Sequence, residues 1–190
     1  MEYISIPISI ISLAISLGTF WLGSIRRGRL SMTTPTIIFF GYDFEPKVTP
    51  KIFLRTLLYS TATQGQIVEG MFVKVRCGNF ERIFSFWGYS ETNQLTAGSG
   101  LQVSRAGFSA NHHFVLSVHE EEYSFDSGLY VITVFARVVG KRKPVKLSDI
   151  SVTLDENLAG SLSRLEGVLF ESNVDGNYEG HTQSTARSHR

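Results

Sequence analysis

Residues 129–139 read LYVITVFARVV, and they decide the fold class because buried-type and other side chains alternate along them. One face would carry Tyr130, Ile132, Val134, Ala136 and Val138. The other face includes Thr133 and Arg137. A repeat of two residues is that of a strand with one face on the core. The stretch therefore predicts a half-buried β-strand.

Other short apolar runs follow the same pattern and are separated by glycine, proline and asparagine. They predict strands at 36–42, 52–60, 67–77, 80–89, 101–105, 113–119 and 147–154. Both faces of 80–89 are apolar, which places that strand centrally if its register is right. Seven or eight strands with frequent turns indicate a mainly β, antiparallel fold: a β-sandwich, which we favour, or a small barrel.

The start of the first strand quoted above carries a short motif. The segment Asp126-Ser-Gly128-Leu-Tyr130-Val-Ile132 resembles the D-x-G-x-Y-x-C tyrosine corner of immunoglobulin-like domains. The resemblance implies an immunoglobulin-like sandwich in which the tyrosine hydroxyl bonds to nearby backbone. Ile132 replaces the second cysteine, so the inter-sheet disulfide is absent. Trp87 would be the matching core tryptophan.

The N-terminal segment is different in kind. Ile4 to Ile25 carries no charge, and Arg26, Arg27 and Arg29 follow it. As a helix this run spans roughly 33 Å, against a bilayer core of about 30 Å. It predicts a transmembrane anchor over 1–30, with a linker at 31–35. The arginines predict an N-terminus outside the cell and a cytoplasmic C-terminal domain, because basic residues next to a span stay on the cytoplasmic side.

This arrangement is similar to that of single-pass bacterial membrane proteins that are themselves uncharacterised, which implies no activity. Small and hydroxylated residues recur along the span at helical spacing and could pack on a second helix or bond to their own helix. They are Ser5, Ser9, Ser12, Ser16, Thr19 and Gly23.

The C-terminal part departs from the strand pattern. Thr153-x-x-Glu156 resembles a capping box, and leucines at helical spacing predict a helix over 156–165. A short strand at 168–170 would complete a β domain over 36–174. The composition of 175–190 predicts a disordered tail.

Composition and motifs indicate no catalytic chemistry. With 18 basic and 17 acidic residues, the chain lacks the basic excess of a nucleic-acid binder. No motif for a nucleophile, a phosphate loop or a metalloprotease occurs, and Cys77 is interpreted as a small core residue. His112, His113 and His119 lack ligand spacing, so a metal site would need carboxylates such as Glu120 or Asp126, and a surface histidine beside a loop is the favoured interpretation. We therefore expect no catalytic, metal or cofactor-binding residues.

A basic hairpin is the remaining candidate site. Lys141, Arg142, Lys143 and Lys146 could face anionic lipid headgroups together with the arginines after the span. The alternative is a solubilising turn that protects a strand edge.

These observations lead to a functional hypothesis with two alternatives. The favoured function is a non-catalytic protein-interaction or scaffold module at the membrane, with lipid and either a protein partner or further copies as partners. The first alternative is a membrane-tethered sensor that binds a small ligand or anionic lipid, with the glycine-rich segment 98–111 as its ligand loop. The second is an enzyme with a dispersed site.

Overall fold

The chain forms two helices and twelve strands in a computed structural model, which describes residues 5–21, 28–44, 47–90, 94–98, 100–117 and 123–183. The helices are α1 (Ser5–Phe20) and α2 (Glu156–Ser163). The strands are β1 (Leu30–Met32), β2 (Ile37–Asp43), β3 (Thr49–Ser60), β4 (Gln66–Cys77), β5 (Phe80–Ser90), β6 (Leu95–Ala97), β7 (Leu101–Val103), β8 (Phe108–Leu116), β9 (Gly128–Val138), β10 (Val145–Leu154), β11 (Gly167–Ser172) and β12 (Tyr178–Gln183).

The strands pair into one antiparallel sheet in the order β10-β9-β4-β5-β8-β3-β2-β11-β12. The short strands β1, β6 and β7 pair with β3, β5 and β4. The sheet curls, because β10 at one end comes within 8 Å, Cα to Cα, of β12 at the other. Strand β5 lies between β4 and β8, as its two apolar faces predict. The mainly β, antiparallel prediction is confirmed, while a division into the two sheets of a sandwich stays a prediction.

The core lies inside the curl and follows the alternation in the sequence. Along β9, Tyr130, Ile132, Val134, Ala136 and Val138 are all buried, as predicted. The neighbouring strands turn their own buried side chains to the same side of the sheet, and these form one continuous cluster that also includes Leu162 of α2. The β domain thus completes its own core without α1.

The predicted membrane span is wrong. Helix α1 has 16 residues, which at 1.5 Å per residue gives about 24 Å, short of a bilayer core of about 30 Å. Within the described part of the chain, no helix is long and apolar enough to cross a membrane. Three predictions rested on this span and are contradicted with it. They are the single-pass topology, the N-terminus outside the cell, and the membrane-anchored location with a cytoplasmic C-terminal domain.

Four local predictions also differ from the structure. Strand β1 occupies residues assigned to the anchor and the linker, and β6 forms where no strand was predicted. Residues 178–183 form β12, within the segment predicted to be disordered. Helix α2 is capped by Asp155, whose carboxylate accepts a hydrogen bond from the Leu158 N–H at 2.8 Å. The predicted capping residue, Thr153, instead lies within β10.

Candidate functional site

The predicted tyrosine corner is present. Tyr130 is buried, and its hydroxyl donates a hydrogen bond to the backbone carbonyl of Asp126 at 2.6 Å. Gly128 between them has a φ of +154°, and a Cβ there would lie 2.8 Å from Sγ of Cys77. Burial raises the pKa of Tyr130, which is therefore a neutral hydroxyl suited to donate. The corner fixes the entry of the chain into β9.

A cleft opens beside this corner. It has a volume of about 380 Å³ and lies between the β4–β5 turn and the segment that leads into β9. Cys77, Asn79 and Phe80 line one side, and Tyr123 and Asp126 line the other. Cys77 packs against the core, as its place in the strand pattern predicted, and it is also partly exposed to the cleft.

Trp87 is not a core residue. It is 38% exposed, and Lys51 Nζ lies 5.2 Å from the centre of its ring. The pairing of β5 with β8 shifts between Phe86 and Gly88, so Trp87 is the extra residue of a β-bulge. Phe86 before it packs against the core, so Trp87 faces outward by ordinary alternation, and the bulge changes the face of the residues that follow it.

The adjacent histidines are buried, so the expectation of a surface histidine beside a loop is wrong for both of them. His112 faces the core at 1% exposure, whereas His113 packs on the outer face against Phe53 at 5.3 Å between ring centres. Burial, and after it the neighbouring His113, lowers the pKa of His112 to about 4. Neither ring nitrogen of His112 has a hydrogen-bond partner among the residues that the structure describes. It is a neutral, unsatisfied imidazole in the core.

His113 belongs to a polar chain that sequence spacing did not reveal. Ser90 Oγ and His113 Nε2 are 3.0 Å apart, Asn111 Nδ2 donates to Ser90 Oγ at 3.3 Å, and Arg55 donates to Asn111 at 3.3 Å. A serine–histidine pair is a possible nucleophile and base. However, both residues are 8% exposed, and His113 Nδ1 has no hydrogen-bond partner in the described ranges. We interpret the chain as a structural link between β3, β5 and β8.

A second cavity, of about 470 Å³, lies on the outer face of β4, β5, β9 and β10. Its charges are largely paired: Lys74 Nζ lies 2.9 Å from Glu81 Oε1, and Lys146 pairs with Asp149. The hydrogen bond from Lys146, and then that from Thr133, lowers the pKa of Asp149. Lys146 therefore belongs to this ion pair, while Lys141, Arg142 and Lys143 are exposed in the β9–β10 turn.

The other predicted site residues do not converge. Arg29 is held through its backbone, which bonds to Thr61, whereas Arg26, Arg27 and Gly23 lie outside the described residues. In α1, Thr19 Oγ1 donates to the carbonyls of Ile15 and Ser16 at 2.9 Å. Much of segment 98–111 is built into strands β7 and β8, with Leu101 and Val103 buried.

His119 lies outside the described residues, and the structure shows no group of three or more metal-ligating side chains in the ranges that it describes. Comparison with known proteins gives no match to a family, to a curated protein or to a solved structure.

Proposed function

We propose that this protein is a non-catalytic interaction module that associates through helix α1. One observation carries the proposal: the large apolar side chains of α1 are more than half exposed, although the β domain has its own complete core. These side chains are Ile8, Ile10, Ile11, Leu13, Ile15, Leu17 and Phe20, which are 58–62% exposed. A helix that is apolar over most of its surface is normally buried.

The shape of this surface suggests the partner. At 100° per residue the apolar side chains cover an arc of roughly 240°, and the hydroxylated residues occupy the remainder. One neighbouring helix covers a stripe of roughly 100°. Two or more neighbours are therefore needed. The described part of α1 has no charged residue, so it suits an equally uncharged surface, which other copies of α1 supply. We propose a bundle of three or more chains.

In this proposal α1 makes contact through its apolar face, which is opposite to the hydroxylated face that the sequence predicted. Burial of apolar surface drives most protein association, so the face with Ile11 and Ile15 would turn inward. The stripe with Ser9, Ser12, Ser16 and Thr19 would face outward, and Thr19 already bonds to its own helix.

Light scattering coupled to gel filtration tests the proposal on the full chain, whose mass is 21.2 kDa. Wild type should elute at three or more times this mass. Ile11→Lys should reduce the mass to that of the monomer, because it buries a charge in the bundle. The matched control Ser12→Lys, on the hydroxylated stripe, should leave the mass unchanged. A wild-type monomer at all concentrations would refute the proposal. If Ser12→Lys dissociated the oligomer and Ile11→Lys did not, the contact would be made by the hydroxylated stripe, and the proposed apolar contact face would be wrong.

The tyrosine corner also supports a relation to immunoglobulin-like sandwiches, which we propose as the ancestry of the curled sheet. Such folds host many functions, so this relation adds no activity to the interaction role.

A further inference from the structure

The cleft beside the tyrosine corner has the size and lining of a small-molecule site. Its volume of about 380 Å³ lies within the range of roughly 300–1,000 Å³ that is usual for ligand pockets. Its floor is rigid, because Tyr130 bonds to the Asp126 carbonyl at 2.6 Å. Tyr123 packs edge-on against Phe84 and Phe125, with ring centres 5.6 and 5.1 Å apart. The cleft is therefore formed by a fixed part of the fold.

The walls of the cleft present aromatic rings and a carboxylate. Phe80 at the β4–β5 turn is 69% exposed, the most exposed phenylalanine of the described residues. Tyr130 is buried beneath the cleft, so the partly exposed ring of Tyr123 is the second aromatic surface that is available to a ligand. The carboxylate of Asp126 lines the same cleft and is held by the hydroxyl of Ser124 at 3.0 Å.

The aromatic rings and the carboxylate of this lining favour a ligand that carries an ammonium group. The faces of aromatic rings carry negative potential and attract ammonium groups within about 6 Å of the ring centre. The carboxylate of Asp126 adds to that attraction, whereas Arg82, which also lines the cleft, opposes it. Arg82, whose Nη1 donates to the Glu81 carbonyl at 3.1 Å, is the cation of the lining. A bound ammonium group is therefore expected beside the carboxylate of Asp126 and away from the guanidinium of Arg82.

We infer that this cleft is a binding site for a small organic cation, in which an ammonium group lies beside Asp126 and an apolar body packs on Phe80 and Tyr123. The chain contains a built-in reporter, because its single cysteine, Cys77, lines the same cleft and is partly exposed. A ligand in the cleft must restrict access to this thiol.

The probe is benzylamine, and benzyl alcohol is its neutral counterpart of nearly equal shape. The reaction of Cys77 with the disulfide reagent DTNB is followed in the full chain at pH 7, with ammonium chloride as the ionic control. We expect benzylamine to slow the reaction and to halve its rate at a concentration of about 1 mM. This affinity is reasonable for a ligand with about eight non-hydrogen atoms. Benzyl alcohol should need at least about three-fold more, since it makes no cation–π contact.

Two variants and a control complete the test. Phe80→Ala and Asp126→Asn should each weaken protection by benzylamine about three-fold, through loss of a partly exposed cation–π contact and an exposed ion pair. Phe44→Ala removes a phenylalanine that is 48% exposed and does not line the cleft, so protection should be unchanged. The inference is overturned if 10 mM benzylamine leaves the rate unchanged, if both probes protect equally, or if both cleft variants are protected like wild type. Because none of these changes touches α1, the result is independent of the oligomeric state.

Discussion

The buried imidazole of His112 makes the fold sensitive to mild acid. The ring is 1% exposed among Phe86 and Phe108, and burial holds its pKa at about 4 against an ordinary value of 6.5. Between these two values the unfolded chain binds a proton that the folded chain does not. The stability is therefore fully present above pH 6.5, and it falls as the pH is lowered towards 4.

The size of the effect follows from the two pKa values. Linkage gives a loss in the free energy of unfolding of about 2 kcal/mol between pH 7 and pH 5 from His112 alone. His113 contributes in the same direction. Its pKa is lowered to about 4 by burial and then by Lys51, and Asp43 opposes the shift. Because this pKa already includes the effect of Asp43, linkage gives His113 a share of similar size.

Substitution of His112 by phenylalanine isolates its share. The variant retains a planar ring in an aromatic environment and removes two buried nitrogens without partners, so at pH 7 it should be as stable as wild type or about 1 kcal/mol more stable. Its loss between pH 7 and pH 5 should be smaller than that of wild type by about 2 kcal/mol.

Urea unfolding followed by tryptophan fluorescence measures the free energy of unfolding at both pH values. Each protein is compared with itself, so a constant packing cost in the variant cancels. His181→Phe is the matched control, because His181 is exposed on β12 and its substitution should leave the acid loss intact. If His112→Phe lost as much stability as wild type between pH 7 and pH 5, His112 would not be the acid-sensitive group.

Three further substitutions test the local structure, each by urea unfolding at pH 7. Tyr130→Phe leaves the Asp126 carbonyl without its hydrogen bond and should lower the free energy of unfolding by about 1–3 kcal/mol. An unchanged midpoint of urea unfolding would show that this hydrogen bond does not stabilise the fold. Gly128→Ala places a Cβ 2.8 Å from the Cys77 sulfur at a φ of +154°, and should cost about 2 kcal/mol, part of which should be recovered in a Cys77→Ala background. Asp155→Ala removes the cap of α2 and should cost about 1 kcal/mol, whereas Asp155→Asn should cost less than half of that.

Alternation of apolar residues was enough to predict most of the sheet, because it depends on one strand at a time. Strand β9 was predicted as 129–139 and is observed at Gly128–Val138, with the same residues buried. The corner at Asp126 and Tyr130 was equally local, since donor and acceptor are four residues apart. Strand β12 was missed because Tyr178–Gln183 is polar and exposed at the edge of the sheet, where pairing with β11 replaces burial.

The N-terminal prediction failed for a different reason. Hydropathy measured the length of the uncharged run, whereas the length of the helix decides whether it can span a bilayer. Helix α1 includes 16 of the 22 residues in that run. The same apolar composition then has another consequence, an exposed apolar surface on α1.

One β-bulge explains the polar chain that was not predicted. Strict alternation after Phe86 would put Ser90 inside and Tyr89 outside. The extra residue at Trp87 reverses this order, so Tyr89 pairs with His112 on the core side and Ser90 faces outward, opposite Asn111. Ser90 can then reach His113 across the strands at 3.0 Å. A change of one residue in register moves every later side chain to the other face of a strand. No repeat within residues 80–90 signals such a change, because it is set by the pairing with β8.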